Sequence, residues 1–156
     1  MPPDEIPELL RRRYLNPGVF QAPSGERSLL LLDDEENILH ALKRVLRRDG
    51  YLIHTAVNAT QAFDILGRND VHVIVSDQRL PDTSGTEFLS RVKEMYPDTV
   101  RLVLSGYIDL RTVTDAINRG AIYKFLTKPW DDDELRAQIT EAFRMYATRK
   151  ADRSAA

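Results

Sequence analysis

The chain has 156 residues, of which 42% are hydrophobic and 29% charged, and its formal net charge is -2 at pH 7. This size and composition suit one soluble domain with a tail, and the small net charge gives no electrostatic reason to bind nucleic acid directly or to bind an anionic membrane. Cysteine is absent, which excludes disulfides and thiolate chemistry, and no apolar run approaches the ~20 residues of a membrane-spanning helix. The first residues lack the basic and apolar segments of a signal peptide, so we expect a cytoplasmic protein.

Residues 1–27 differ in composition from the rest of the chain. They contain Pro2, Pro3, Pro7, Pro17 and Pro23 together with three consecutive arginines at 11–13. This composition predicts a flexible N-terminal leader without a packed core. A regular pattern begins at Ser28, so we predict a folded domain over residues 28–149 and a frayed C-terminal tail over residues 150–156.

Between residues 28 and 149, short apolar runs alternate with amphipathic segments that end at glycine or proline. The runs predict buried strands, and the apolar residues at helical spacing predict helices. In chain order we expect strand 29–32, helix 38–49, strand 51–56, helix 58–66, strand 71–75, helix 88–95, strand 100–104, helix 110–117, strand 122–126 and a helix that ends near residue 148. Strands that alternate with crossover helices form a parallel sheet covered on both faces, so the predicted fold class is α/β.

Polar side chains follow four of these five strands. Asp33 and Asp34 follow the first strand, Asp77 follows the third, Ser105 the fourth and Lys128 the fifth. The carboxyl ends of parallel strands share one edge of a sheet, where ligands of such folds bind. A single acid after a strand usually caps a helix or lies in a solvated turn, but the joint pattern predicts that these side chains meet in one pocket.

The composition of this predicted pocket suggests its chemistry. Two carboxylates about 5 Å apart repel by roughly 3 kcal/mol at an effective dielectric of about 20, so such a cluster favours a bound cation. Oxygen ligands without histidine or cysteine favour a hard ion such as Mg²⁺. A carboxylate nucleophile beside a cation, a lysine and a hydroxyl suits phosphoryl transfer.

Four segments carry a family resemblance. They are Leu-Leu-Leu-Leu-Asp-Asp-Glu-Glu-Asn at 29–37, Ser-Asp-Gln-Arg-Leu-Pro-Asp-Thr-Ser-Gly at 76–85, Leu-Ser-Gly-Tyr at 104–107 and Phe-Leu-Thr-Lys-Pro-Trp at 125–130. They resemble, in order, the signature segments of response-regulator receiver domains of two-component systems, over about residues 28–148. The resemblance implies a flavodoxin-like (βα)5 fold with strand order 2-1-3-4-5.

The resemblance also implies a role for each acidic residue of the pocket. Asp77 is similar to the family's phosphoacceptor, which takes a phosphoryl group from the phosphohistidine of a sensor histidine kinase or a phosphotransfer protein. Asp34 and Asp77 are similar to the direct ligands of Mg²⁺, and Asp33 to a ligand that acts through water. The main-chain carbonyl of Arg79 matches the third protein ligand.

The remaining expectations concern the later strands. Ser105 resembles the hydroxyl that reorients toward the phosphoryl group, and Lys128 resembles the cation that pairs with it. Pro129 matches the family's cis-proline, and Phe125 its aromatic switch residue. The stretch from Gly120 to Lys128 is one residue longer than in short chemotaxis receivers, so we expect a bulge near residues 123–124.

The resulting hypothesis is a phosphorylation switch that signals through the fifth strand and the last two helices, to an output domain or by homodimerisation. It is not an enzyme beyond its own phosphoryl transfer and slow autodephosphorylation. Its segments resemble receivers fused to HD-GYP phosphodiesterase or hydrogenase-regulator modules, and the sequence leaves open whether the chain stands alone or is a piece of a longer protein.

Two other functions fit the sequence less well. A haloacid-dehalogenase-like phosphohydrolase with an aspartyl-phosphate intermediate usually places an acid two residues after its nucleophile, and here that position is Arg79. A nucleotide-binding or flavin-binding protein of similar fold would have a glycine-rich phosphate loop after its first strand, which this chain lacks.

Overall fold

The computed structural model describes residues 26–106 and 110–155, in which five strands alternate with five α-helices. The elements are β1 Ser28–Leu32, α1 Glu36–Leu46, β2 Leu52–Ala56, α2 Ala59–Arg68, β3 Val73–Ser76, α3 Gly85–Met95, β4 Val100–Ser105, α4 Leu110–Asn118, β5 Lys124–Thr127 and α5 Asp132–Ala155. Most of the predicted leader lies outside the described residues. Within the described ranges, no helix has the length and apolar character needed to cross a membrane.

The five strands form one parallel sheet in the order β2-β1-β3-β4-β5, which confirms the predicted fold. Chain order reverses at β1, since β2 lies on one side of it and β3 on the other. All five residues of β1 are buried, as expected for a central strand of a sheet covered on both faces. Ligands of such sheets bind beyond the carboxyl ends of the strands at this reversal.

Alternation along β1 divides the core into two layers, because successive side chains of a strand point to opposite faces. Leu29 and Leu31 pack with α1 and α5 on one face, and Leu30 and Leu32 pack with α2, α3 and α4 on the other. The strand is completely apolar because both of its faces are covered. The two layers hold the sheet rigidly, so the loops at its carboxyl edge start from fixed positions.

The last helix is longer than the sequence predicts. We expected it to end near Thr148 and the chain to fray beyond Arg149, but α5 continues to Ala155. Tyr146 packs its ring on that of His72, and Arg153 forms an ion pair with Asp98. The predicted helix end near residue 148 is therefore wrong, because Arg153 in the final turns still contacts Asp98, and the frayed tail over residues 150–156 stays a prediction.

The predicted bulge near residues 123–124 is also wrong. β5 begins at Lys124 and pairs with β4 in continuous register from Leu102↔Lys124 to Ser105↔Thr127. Before the strand, Gly120 has a φ of 72°, and the amides of residues 121 and 122 both donate to one carbonyl at the end of α4. The turn between α4 and β5 is therefore irregular, and the strand itself is regular.

His72 provides a pH-dependent element of stability. It is 8% exposed, its ring stacks on Tyr146 with centroids 4.2 Å apart, and burial lowers its pKa below the usual 6.5, although Asp70 opposes that shift. Below about pH 6.5 the unfolded chain then binds the proton more readily than the folded chain, so folding stability falls as the pH falls. We expect the free energy of unfolding to decrease more between pH 7 and pH 5.5 in the wild type than in His72→Gln. Equal decreases in chemical denaturation would contradict this account.

Candidate functional site

Backbone hydrogen bonds fix the residues that follow β1 and β3. The amide of Asp33 donates to the carbonyl of Ala56 at 3.1 Å, and the amide of Asp77 donates to the carbonyl of Leu32 at 2.8 Å. These bonds extend the sheet by one residue beyond its strands. Both aspartates consequently leave the sheet at its carboxyl edge, where β1 and β3 are neighbours.

Lys128 connects the two aspartates. Its Nζ lies 2.6 Å from Asp33 Oδ2 and 3.5 Å from Asp77 Oδ2, and the three side chains are 14%, 3% and 8% exposed. The amide of Lys128 donates to the carbonyl of Ser105 at 3.1 Å, which sets the lysine at the end of β5. The peptide bond from Lys128 to Pro129 is cis. The structure therefore brings residues 33, 77 and 128 together in one buried group.

The charges in this group depend on one another. Burial raises the pKa of the Asp33 carboxyl, against the hydrogen bonds from Lys128 and the Glu35 amide, and the charge of Asp77 adds to the rise. Burial would lower the pKa of Lys128, but its hydrogen bond to Asp33 and the charges of Asp33 and Asp77 outweigh burial and raise it. Because the ammonium forms a charge-assisted hydrogen bond to Asp33 and also faces Asp77, the lysine is held as a cation against the carboxylates.

A second group of carboxylates lies at the end of β1. One oxygen each from Asp33, Asp34 and Glu35 lie within 4.8 Å of one another, with Asp33 buried and the other two exposed. The Glu35 amide donates to Asp33 Oδ1 at 2.9 Å. An exclusively oxygen donor set that is open to solvent on one side fits a hard divalent cation such as Mg²⁺. Glu35 directly follows the two predicted acids but was not among the predicted ligands.

The loop after Asp77 contains two residues that the sequence analysis missed. Gln78 is 8% exposed, its amide donates to Asp77 Oδ1 at 2.8 Å, and its side chain bonds to Thr86 at the start of α3. Asp82 accepts hydrogen bonds from the amides of Ala59 and Thr60 and so caps α2. The loop is thus attached to two helices, and no residue spacing in the sequence signals these contacts.

The other predicted residues lie on β4, on β5 and on the loop after β3. Ser105 is 2% exposed at the end of β4, where it pairs with Thr127. Arg79 has an exposed side chain, and its backbone forms a bridge to Ser84. Phe125 is half-buried and packs against the core layer that contains α2, α3 and α4. Tyr107, from the third signature segment, lies outside the described residues.

Known proteins are similar to this chain in both sequence and fold. The family described as "Response regulator receiver domain" matches residues 29–140. This chain belongs to the response-regulator receiver family. Its fold is therefore that of a two-component receiver domain. Such domains are regulatory rather than catalytic, and they generally bind Mg²⁺ at an acidic pocket.

Individual relatives support the assignment. The receiver domain is 40% identical over 132 residues to the hydrogenase transcriptional regulatory protein HoxA of Bradyrhizobium diazoefficiens, covering 85% of this chain and 27% of that protein. It resembles the solved signal receiver domain of an HD domain-containing protein from Pseudomonas fluorescens, with 36% identity, a TM-score of 0.77 and coverage of 81% and 93%. It also resembles the beryllofluoride-activated NtrC4 receiver domain dimer, with 34% identity, a TM-score of 0.72 and coverage of 76% and 98%. The chain spans about a quarter of the length of the curated relatives that it matches.

Proposed function

We propose that Asp77 is the phosphoacceptor of this receiver and that the protein works as a phosphorylation switch. The observation that supports this role best is the convergence of Asp33, Asp77 and Lys128 at the edge where β1 and β3 end. Asp77 is the carboxylate in this group that follows the third strand of a receiver fold. Its side chain is 8% exposed, and its Oδ2 faces the Lys128 ammonium.

In the proposed reaction, a carboxylate oxygen of Asp77 attacks the phosphorus of a phosphohistidine. The new O–P bond forms as the P–N bond of the donor breaks, and the donor nitrogen leaves with the electron pair of that bond. Lys128 lies 3.5 Å from Asp77 Oδ2 and can neutralise charge on the phosphoryl oxygens. A bound Mg²⁺ would be held by Asp33, Asp34, Asp77 and the carbonyl of Arg79. Mg²⁺, when bound there, supplies further neutralisation of the phosphoryl charge.

The proposed output depends on residues at the end of β4 and on β5. Ser105 would donate a hydrogen bond to the phosphoryl group, and Phe125, which has no hydroxyl, would respond only by a change in its burial. A shift of these residues would alter the exposed surface of β5, α4 and α5. This surface would then contact an output domain or a second copy of the chain.

The names of similar proteins suggest the partners. A sensor histidine kinase or a phosphotransfer protein would supply the phosphoryl group, and we place the protein in the cytoplasm, where such donors and Mg²⁺ are available. HoxA is named as a transcriptional regulatory protein, which supports an output in transcription. We expect no direct contact of the receiver domain itself with nucleic acid. The switch catalyses only its own phosphorylation and slow autodephosphorylation, and Arg79 at the second position after Asp77 does not favour a phosphohydrolase.

Phosphorylation by a small donor tests this proposal without knowledge of the kinase. The purified chain is incubated with acetyl phosphate and Mg²⁺, and its intact mass is measured. We expect a gain in mass of one phosphoryl group with Mg²⁺ present, and no gain when a chelator is present from the start of the incubation. No gain in mass in the presence of Mg²⁺ would contradict the proposed function.

A further inference from the structure

We propose that Gln78 is a positioning residue for the phosphoacceptor site, acting through a clamp formed by Gln78 and Thr86. This clamp consists of two hydrogen bonds between the Gln78 side chain and Thr86, and it joins the residue after Asp77 to the first turn of α3. The inference rests on the proposed function of Asp77 and deepens it. It identifies what orients the acceptor carboxylate and the adjacent peptide.

Both residues of the clamp are buried, and two hydrogen bonds join the Gln78 side chain to Thr86, one at its main-chain amide and one at its hydroxyl. The amide of Thr86 donates to Gln78 Oε1 at 3.0 Å, and Gln78 Nε2 donates to Thr86 Oγ1 at 3.2 Å. Gln78 and Thr86 are 8% and 4% exposed. A buried amide side chain with both of its ends bonded cannot rotate without leaving polar groups unpaired, which is unfavourable away from water.

The main chain of Gln78 forms a second pair of contacts. Its amide donates to Asp77 Oδ1 at 2.8 Å, and its carbonyl accepts from the amide of Gly85 at 2.8 Å. The first amides of a helix have no partner within the helix, and here Gln78 satisfies two of them, on Gly85 and Thr86. One residue therefore links the acceptor carboxylate to the start of α3.

Gly85 shows how closely the helix approaches the acceptor. A Cβ at this position would lie 2.2 Å from the carbonyl oxygen of Asp77, so only glycine permits the observed packing. The Asp77 carbonyl is consequently packed against α3, while the amide of the same residue donates to the Leu32 carbonyl of β1. The clamp keeps α3 against this carbonyl.

The position of the clamp in the chain gives it a functional consequence. Gln78 stands between Asp77 and Arg79, and both of these flanking residues are proposed ligands of Mg²⁺. A change in the orientation of Gln78 would turn the Asp77 carboxylate and the Arg79 carbonyl away from each other. The residues that orient metal ligands contribute about 10- to 100-fold to metal affinity, so the clamp is expected to set the affinity for Mg²⁺.

The test measures Mg²⁺ binding by titration calorimetry and, in the metal-free protein, hydrogen exchange of the Thr86 amide. Gln78→Met keeps the length of the side chain but removes both hydrogen-bonding ends. We expect this variant to lose about 10- to 100-fold in Mg²⁺ affinity and to exchange the Thr86 amide faster. Thr86→Val removes only the hydroxyl, so we expect a smaller loss in the same direction, whereas Thr86→Ser should restore wild-type affinity. Because the two residues act as a unit, the double variant Gln78→Met/Thr86→Val should lose no more than Gln78→Met alone.

Thr99→Val is the matched control. Thr99 is 5% exposed and donates to the carbonyl of Val71 at 2.8 Å, at the opposite end of the sheet from Asp77. This substitution removes an equally buried hydroxyl, and we expect wild-type Mg²⁺ affinity. If Gln78→Met does not fold, the comparison of Thr86→Val with Thr86→Ser decides the question.

Three results would overturn the inference. Wild-type Mg²⁺ affinity in folded Gln78→Met or in Thr86→Val would refute the positioning role of the clamp and leave the proposed function intact. Equal loss of affinity in Thr99→Val would show a general loss of stability instead of positioning. A wild-type protein that neither binds Mg²⁺ nor takes up a phosphoryl group would refute the proposed function and this inference together.

Discussion

Replacing Asp77 by asparagine is expected to abolish phosphoryl uptake from acetyl phosphate. The substitution keeps the size of the side chain and its Oδ1, which accepts the Gln78 amide, but it removes the nucleophilic carboxylate. An amide is neutral, so the Lys128 ammonium that lies 3.5 Å from Asp77 Oδ2 would lose one of its two carboxylate partners. Intact-mass measurement after incubation with Mg²⁺ and acetyl phosphate should therefore show only the unmodified protein.

Asp82→Asn is the matched control for this prediction. Asp82 lies on the same loop and caps α2, and its side chain is exposed and does not belong to the group of Asp33, Asp77 and Lys128. We expect phosphoryl uptake by Asp82→Asn at a rate close to that of the wild type. Uptake by Asp77→Asn equal to that of this control would exclude Asp77 as the acceptor.

Replacing Lys128 by methionine is expected to slow phosphorylation by about 10²–10³-fold, the usual loss when one charge-stabilising group is removed from a reacting site. Methionine fills much of the volume of the lysine stem but carries no charge. It also leaves the buried Asp33 carboxylate without its 2.6 Å partner, which raises the pKa of Asp33 further. The rate is measured from the time course of intact mass at saturating Mg²⁺.

The structure offers two comparisons for the Lys128 variant. Lys124→Met changes a lysine on the same strand. The Nζ of Lys124 donates to Gln138 Oε1 at 2.6 Å and does not contact the aspartates, so this variant should be phosphorylated at nearly the wild-type rate. Lys128→Arg keeps the charge but presents a planar group in place of a compact ammonium, so we expect an intermediate rate. Equal rates in Lys128→Met and Lys124→Met would show that the ammonium has no part in the reaction.

The sequence predicts the order of the elements because each apolar run in a parallel sheet is continuous and each helix has a regular apolar spacing. It also predicts that residues 33, 77 and 128 meet, since residues that follow parallel strands share one edge of the sheet. The contacts of Gln78 with Thr86 and of Asp82 with α2 could not be predicted. They depend on how the loop after β3 folds back on two helices, and hydrogen bonds of this kind leave no periodic signal.

The two wrong expectations have a common physical origin. The end of α5 and the start of β5 are set by tertiary contacts, namely those of Tyr146 and Arg153 with the domain and those of the residues that follow Gly120. Local sequence at these points is compatible with more than one boundary. Element boundaries are less well determined by sequence than the elements themselves, because a few side-chain contacts are enough to move them.

The position of the phosphoryl group on the chain tests the central claim most directly. The phosphorylated protein is reduced with borohydride, which converts an aspartyl phosphate into a stable alcohol, and the modified residue is located by peptide mass spectrometry. We expect a single modified position, Asp77, within the peptide that contains the end of β3. Modification at Asp33 or Asp34, with Asp77 unmodified, would contradict this expectation.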